Sequence, residues 1–193
     1  MPATPRPWTA PATLPLPIDG PRVRLRLWED ADAAALFGIV DEHRAALLEF
    51  LPWAETSHRD VADSWAIIDG MGAQAATRPL GNLVLAIVDR QTGEPLGGTG
   101  LHRIDAAQHT AEIGYWIRPD RWGEGLCTEA TRHLISAALR PVADGGFGLR
   151  RLIVVAAAAN VGSCRVPEKL GLRLEASRVQ ARWERGRGWS DDR

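Results

Sequence analysis

The chain has 193 residues and 21.0 kDa, with 45% hydrophobic and 24% charged residues, which is ordinary for a folded globular protein and excludes wholesale disorder. Its 23 basic and 24 acidic residues give a net charge of −1, so nucleic acid and membrane surfaces are not expected partners. Because no apolar run approaches the roughly 20 residues that a bilayer requires, and no secretion signal is present, we predict a cytoplasmic protein.

The first half of the chain predicts a proline-rich arm followed by a strand and three helices. Residues 1–20 favour extended, water-exposed backbone, so we predict a flexible arm, followed by one domain over residues 21–193. Polar and apolar residues alternate over 22–27, which predicts a strand with one buried face. The predicted helices are one capped by Asp30, a short one over 43–51, and one opening near Ser57 with a stripe of Val61, Trp65, Ile68 and Met71.

The second half predicts a meander and then a strand, a helix and a strand. Three β-rich runs, 83–89, 96–104 and 110–118, are joined by short turn-forming links, which predicts antiparallel strands. A glycine turn at 122–125 (Trp-Gly-Glu-Gly) opens a helix that runs to Leu139. The order of elements indicates an α+β domain.

After that helix the sequence becomes less regular. Residues 150–158 read as a strand buried on both faces, and a helix over 163–170 is expected to end at Gly171. A strand at 173–179 and an Arg/Gly-rich tail complete the pattern.

The glycine turn is the most informative local feature. It leads from a strand into a helix N-terminus, where free N–H groups and the helix dipole favour phosphate or pyrophosphate. The turn fits neither the Walker nor the dinucleotide glycine motif. Taken alone, it is more often a plain tight connection than a phosphate site.

Several blocks in fixed order resemble the GNAT superfamily of N-acetyltransferases, and its RimJ/RimL-like branch in particular. The resemblance covers about residues 21–190. The matching blocks are 51–53 (LPW), 96–102 (LGGTGLH), 111–117 (AEIGYWI), 122–125 (WGEG) with 128–130 (TEA), 160–163 (NVGS) and 168–171 (EKLG).

The resemblance implies a GNAT-type α+β fold: a mixed, largely antiparallel sheet flanked by helices, with a V-shaped split between two central parallel strands. It implies acetyl-CoA as cosubstrate, bound in that split. The residues expected to bind it are Ile117, Arg118, Trp122, Gly123, Glu124, Gly125, Leu126, Cys127, Thr128, Asn160 and Lys169. A helix cap is an equal alternative for Asn160.

Two residues are the candidates for catalysis. Strand alternation places Glu112, Gly114 and Trp116 on one face, and the family carries a glutamate at the position of Glu112 as a base. The alternative for Glu112 is a salt-bridged surface residue. Ser163 matches the family serine proposed to protonate the thiolate, and its alternative is a helix N-cap. Tyr115 is expected on the face opposite Glu112, so Ser163 is preferred as the acid.

The acceptor implied by the resemblance is a primary amine, a protein N-terminal α-amine first. The alternatives are an aminoglycoside-like or polyamine substrate, or a degenerate module that binds acyl-CoA without chemistry. The residues expected to line the acceptor site are Trp53, Trp65, His102 and Trp116. Direct attack is favoured over a Cys127 thioester, because nothing nearby in the sequence activates this thiol. No metal site is expected, and a homodimer is left open.

Two departures from the family pattern bear on activity. Pro167 falls inside the helix that carries Ser163, where it removes a backbone donor. The family's final sheet strand is also expected to be missing, which would leave an edge exposed beside the cleft.

Overall fold

The computed structural model describes residues 6–184 and 186–193. Within this part of the chain there are four α-helices and eight strands. The strands are β1 (Ile18–Asp19), β2 (Val23–Leu27), β3 (Leu83–Asp89), β4 (Pro95–Asp105), β5 (Thr110–Ile117), β6 (Arg151–Ile153), β7 (Arg178–Glu184) and β8 (Gly188–Asp192). The helices are α1 (Ala33–Leu48), α2 (Val61–Ala76), α3 (Leu126–Leu139) and α4 (Val161–Lys169). None of the described helices is both long and apolar enough to cross a bilayer.

The predicted α+β fold is confirmed. Strands β1 to β6 form one sheet in sequence order, and every pair is antiparallel except β5 with β6. One face of the sheet packs its apolar side chains against α3, and the other packs against α1 and α2. Alternation along the strands produces these two cores, because successive side chains point to opposite faces.

The sheet splits between its two parallel strands. The register of β5 and β6 contains three pairs, and the last of them is Glu112 with Ile153. Beyond this pair β5 continues to Ile117 without pairing to β6, while the segment that follows β6 turns away toward α4. The split predicted from the family resemblance therefore opens at Glu112.

The N-terminal segment differs from the flexible arm that the sequence predicts. Trp8 is buried, its indole Nε1 donates to the carbonyl of Phe147 at 2.7 Å, and its backbone N–H donates to Ala106 at 2.6 Å. The prolines keep this segment extended, and a buried tryptophan fixes it against the domain. Residues 1–5 of the predicted arm lie outside the described residues.

The helical prediction is wrong in two details. The helices expected around residues 30–40 and 43–51 form the single helix α1, which begins after a short 3-10 turn at Asp30–Asp32. Helix α2 begins at Val61 and is capped by Asp60, whose carboxylate accepts the N–H of Asp63 at 2.7 Å. Only the second half of the predicted stripe is covered, since Val61 and Trp65 are 43% and 47% exposed.

The C-terminal region differs most from the prediction. The expected strand at 150–158 is regular only in β6, where Arg151 and Ile153 are exposed rather than buried. The final strand predicted to be missing is present: β7 and β8 form a hairpin, and the backbones of Ala156 and Arg193 exchange hydrogen bonds. The edge beside the cleft is thus covered at this position.

Candidate functional site

A cleft of about 460 Å³ lies where the sheet splits. Its walls are the C-terminal end of β5, the glycine turn with the start of α3, the start of α4 and the C-terminal end of α1. Eleven of the predicted site residues line it or its rim: Trp116, Ile117, Trp122, Gly123, Gly125, Leu126, Cys127, Thr128, Asn160, Ser163 and Lys169. The structure therefore brings together residues that are distant in sequence, as the family resemblance implies.

The glycine turn has the geometry of an anion site. Gly123 and Gly125 have φ values of +84° and +80°, which side chains other than glycine rarely adopt. A Cβ atom at Gly123 would meet no atom within 4 Å, so open space lies in front of the turn. The first N–H groups of an α-helix have no partner inside the helix, and the first three residues of α3, Leu126, Cys127 and Thr128, line the cleft. The pyrophosphate of acetyl-CoA fits this arrangement.

Cations surround the same end of the cleft. Arg121, Arg165 and Lys169 line it, and the guanidinium of Arg22 donates to the carbonyl of Glu124 at 3.0 Å, which fixes the turn. Such a set of cations suits a polyanionic ligand. Two of the residues predicted to bind the cosubstrate, Arg118 and Glu124, are not among those that line the cleft. The side chain of Arg118 pairs with Asp120 at 2.7 Å, and that of Glu124 pairs with Arg121 at 2.6 Å.

Tyr115, Ser163 and Pro167 are linked through one carbonyl group. Pro167 has no N–H, so the carbonyl of Ser163, four residues earlier, lacks its helical partner. The Tyr115 hydroxyl donates to this carbonyl at 2.9 Å instead. The hydroxyl groups of Ser163 and Tyr115 lie 3.5 Å apart at the cleft, and burial raises the pKa of Tyr115. Tyr115 does lie on the face opposite Glu112, yet it reaches the site.

Asn160 and Cys127 both line the cleft, and their surroundings bear on the roles expected for them. The Oδ1 atom of Asn160 accepts the N–H of Ser163 at 2.9 Å, so Asn160 is the N-cap of α4 and Ser163 is not. Burial raises the pKa of Cys127 to about 12, which keeps the thiol protonated at neutral pH and disfavours a thioester.

Glu112 and His102 lie together on the sheet face covered by α1 and α2, called here the α1–α2 face. They are paired in the register of β4 and β5, and Arg103 donates to Glu112 at 2.6 Å. The imidazole fills the space beside Gly114, where a Cβ would lie 3.1 Å from Nε2. This space is therefore filled and not open to substrate. Burial lowers the pKa of His102, and the charge of Glu112 opposes that shift.

The tryptophans predicted for the acceptor site divide into two groups. Trp53 and Trp116 are in contact on the α1–α2 face, with ring centroids 5.5 Å apart, and Gly98 gives the Trp116 indole its room. Trp65 is half exposed on α2 and does not line the cleft. The exposed Trp122 donates its indole N–H to the carbonyl of Ile117 at 2.7 Å, at the end of β5.

Sequence reasoning missed the contributions of Arg22, Tyr115, Glu49 and Phe50. Each belongs to the site only through long-range packing: Arg22 reaches the turn from more than 100 positions away, and Glu49 and Phe50 line the cleft from the end of α1. The lone tyrosine in a strand that enters the site was a usable signal for Tyr115. Among the described residues, no group of three His, Cys, Asp or Glu side chains is placed to hold a metal ion.

Comparisons with known proteins agree with this geometry. The profile of the acetyltransferase (GNAT) domain matches residues 22–173. The chain is 30% identical over 153 residues to "Putative ribosomal N-acetyltransferase YdaF" of Bacillus subtilis, covering 79% of each protein. It is 32% identical over 88 residues to the ribosomal-protein-serine acetyltransferase of Escherichia coli, covering 46% of each.

Solved structures show the same fold. The ribosomal L7/L12 α-N-protein acetyltransferase RimL in complex with coenzyme A superposes with a TM-score of 0.80 at 19% identity, over 92% of this chain and 95% of that one. RimJ of Mycobacterium smegmatis in complex with CoA-disulfide has a TM-score of 0.75 at 25% identity, over 96% of this chain and 82% of that one.

Proposed function

The chain belongs to the GNAT acetyltransferase family and is an acetyl-CoA-dependent N-acetyltransferase, and we propose that its acceptor is the N-terminal α-amine of a protein. The ribosomal-protein acetyltransferase names of its relatives support this acceptor. The observation that carries the proposal is the distance of the candidate base from the cleft.

Glu49 is the one carboxylate among the described residues that line the cleft, and it is paired with Arg187. Glu112 lies three residues before Tyr115, about 10 Å along an extended strand. A proton must therefore travel through solvent to reach Glu112. This suits an amine that is already partly neutral: an α-amine with a pKa near 8 is roughly one-tenth neutral at pH 7, whereas a lysine is neutral in roughly one molecule of 2,500.

The residues then have distinct roles in this proposal. The amides of the glycine turn and of early α3 bind the pyrophosphate, and Asn160 offers its N–H₂ group to the pantetheine arm. Burial raises the pKa of Tyr115, so its hydroxyl keeps its proton and donates it to the carbonyl of Ser163. The Ser163 hydroxyl, whose contact with Tyr115 is long at 3.5 Å, turns to donate to the departing thiolate. Glu112 accepts the proton of the amine through solvent, at the point where the strands separate.

A thiol-release assay with a panel of acceptors tests this function. Peptides with free N-termini are expected to react at pH 7, whereas the same peptides with a blocked N-terminus and an internal lysine are expected to be much slower. Reaction with aminoglycosides or polyamines alone would replace the proposed acceptor with a small amine. Binding of coenzyme A with no turnover on any amine would identify a degenerate binding module.

The sequence supports two further proposals. The first is that the protein is cytoplasmic. A homodimer is also proposed, and the edge-to-face pair of Trp183 and Trp189, 64% and 61% exposed on the hairpin, offers an apolar surface for it. Light scattering at several protein concentrations tests the dimer, and a monomer at all of them would exclude it.

A further inference from the structure

The end of α1 places a single carboxylate on the wall of the cleft. Among the described residues that line the cleft, Glu49 is the only acidic one, and its side chain is 46% exposed. Its Oε1 atom accepts a hydrogen bond from Arg187, whereas Oε2 has no partner among the described residues. A carboxylate can accept several hydrogen bonds on its two oxygens, so Glu49 can bind a further donor without breaking its pair with Arg187.

The wall that carries Glu49 holds none of the groups assigned to acetyl-CoA. Those groups lie on β5, in the glycine turn and at the starts of α3 and α4. The wall consists of the end of α1 and the residues directly after it: Ala46, Leu47, Glu49, Phe50 and Leu51. The Nε2 atom of His43 on α1 lies 3.1 Å from the carboxylate of Asp120, just before the glycine turn, so Glu49 is about 9 Å along the helix from that contact. This wall is therefore left for the acceptor.

The charges of the cleft are divided between its walls. The cations Arg121, Arg165 and Lys169 belong to the glycine turn and to α4. The phosphate groups of coenzyme A offset these cations when it binds, which leaves Glu49 as the charge that faces the acceptor. A charged group in a cleft attracts ligands of the opposite sign, so a cationic acceptor is favoured.

The side chain of Arg187 shows which kind of group this wall accepts. Its guanidinium pairs with Glu49 and lies 4.7 Å from the centroid of the Phe50 ring. A carboxylate beside an aromatic ring is a favourable environment for a cation. Because Glu49 and Phe50 both line the cleft, a cation of the acceptor can reach the same two side chains from within it.

We propose that Glu49 is a specificity residue that binds a second positive charge of the acceptor, in addition to the amine that is acetylated. In the proposed function, on which this inference rests, the second charge is a lysine or arginine side chain close to the N-terminus. The ring of Phe50 supplies the apolar part of the contact. Arg187 competes with the acceptor for the carboxylate, so the pair of Glu49 and Arg187 sets the strength of the preference.

The test uses peptides that differ in one residue, lysine against norleucine, at the second, third or fourth position. For at least one position the wild type is expected to prefer lysine in kcat/KM by roughly 3- to 30-fold, a modest ratio because Glu49 is half exposed. Glu49→Gln keeps the shape of the side chain and removes its charge, so the preference should disappear. An equal preference in the wild type and in Glu49→Gln would overturn the inference.

Arg187→Met separates this role from a structural one. If the ion pair only held the hairpin against α1, Arg187→Met and Glu49→Gln would act alike, because both break it. In the proposed role they act in opposite directions, and Arg187→Met should raise the lysine preference by roughly 2- to 10-fold. A lower preference in both variants would overturn the inference. The two side chains are 37% and 46% exposed, so their pair adds little stability and both variants should keep a Tm near that of the wild type.

Glu42→Gln is the matched control. Glu42 lies two helical turns before Glu49 on α1, its side chain is 68% exposed, and it is not among the residues that line the cleft. The substitution removes the same charge from the same helix and is expected to keep the lysine preference. A loss as large as that in Glu49→Gln would mean that overall charge selects the acceptor, and the inference would be wrong.

A failure of the proposed function can be told apart from a failure of this inference. If no peptide is acetylated, the proposed acceptor is wrong, and the same variants are compared on 1,4-diaminobutane and butylamine. A preference for the diamine that Glu49→Gln removes supports the role of Glu49. A preference that is absent from the wild type, or retained in Glu49→Gln, overturns it.

Discussion

The glycine turn and the α1–α2 face are built in different ways. The turn uses main-chain amides ordered by two glycines with positive φ, and all of its members lie within a few residues of each other. The α1–α2 face uses side chains from separate elements, among them Trp53, His102 and Glu112. The comparison teaches that the half of the site common to the family is local and made of backbone, whereas the half that would select an acceptor is assembled over long range.

If the two halves act separately, a change in catalysis need not change coenzyme A affinity. Glu112→Gln removes the proposed proton acceptor and is expected to lower kcat by about 10²- to 10⁴-fold. The low-pH limb of the rate profile should disappear with it. Stopped-flow turnover and calorimetry with coenzyme A measure the two quantities. Full activity in Glu112→Gln across pH would show that the amine loses its proton without this carboxylate.

A substitution in the glycine turn is expected to do the opposite and weaken coenzyme A binding. Gly123→Val places a β-branched residue at φ +84° in front of the anion site, and should weaken coenzyme A binding by roughly 10- to 100-fold. Gly93→Val is the control, because Gly93 has φ +79° and also open space around it, but lies in the turn between β3 and β4. Equal losses of affinity in the two variants would mean that backbone strain, and not the anion site, explains the effect.

The same division explains what the sequence could predict. The antiparallel strands β3, β4 and β5 and the start of α3 follow from local alternation and turn residues, and their predicted bounds are nearly correct. The family resemblance supplied the split and the cosubstrate. The hairpin β7–β8 could not be predicted, because most residues of these strands are exposed and the two buried ones, Glu184 and Asp192, are acidic, so no hydrophobic period marks it.

The junction of the two halves is tested at Tyr115. Tyr115→Phe leaves the Ser163 carbonyl without a donor, which should cost about 1 kcal/mol of stability and about tenfold in kcat. Adding Pro167→Ala supplies a backbone N–H four residues after that carbonyl and should restore the Tm. If kcat also recovers in the double variant, the hydroxyl acts only by holding α4; if it does not, the hydroxyl itself assists the leaving thiolate.

Pro167 shows the limit of the local sequence signal. The sequence predicts that this proline removes a backbone donor from the helix, and α4 nevertheless spans Val161–Lys169. The compensation comes from a tyrosine 48 positions away from Ser163, on another element. Local propensity contains no information about such a partner, so the placement of Ser163 had to come from the structure.

The smallest expected effect is the pH response of His102, which distinguishes the α1–α2 face from a turn made of backbone. Burial lowers the pKa of this imidazole below its ordinary value of 6.5, so the folded protein favours the neutral ring. Its contribution to stability is therefore complete above pH 6.5 and declines as the pH falls below that value, since the unfolded chain binds the proton more readily. Between pH 7.5 and 5.5 the free energy of unfolding of the wild type should therefore fall by up to about 1 kcal/mol more than that of His102→Gln. The charge of Glu112 keeps this difference small, because it opposes the lowering of the His102 pKa. Urea unfolding of both proteins at the two pH values measures this difference, and parallel losses would show that His102 is free to titrate in the folded state.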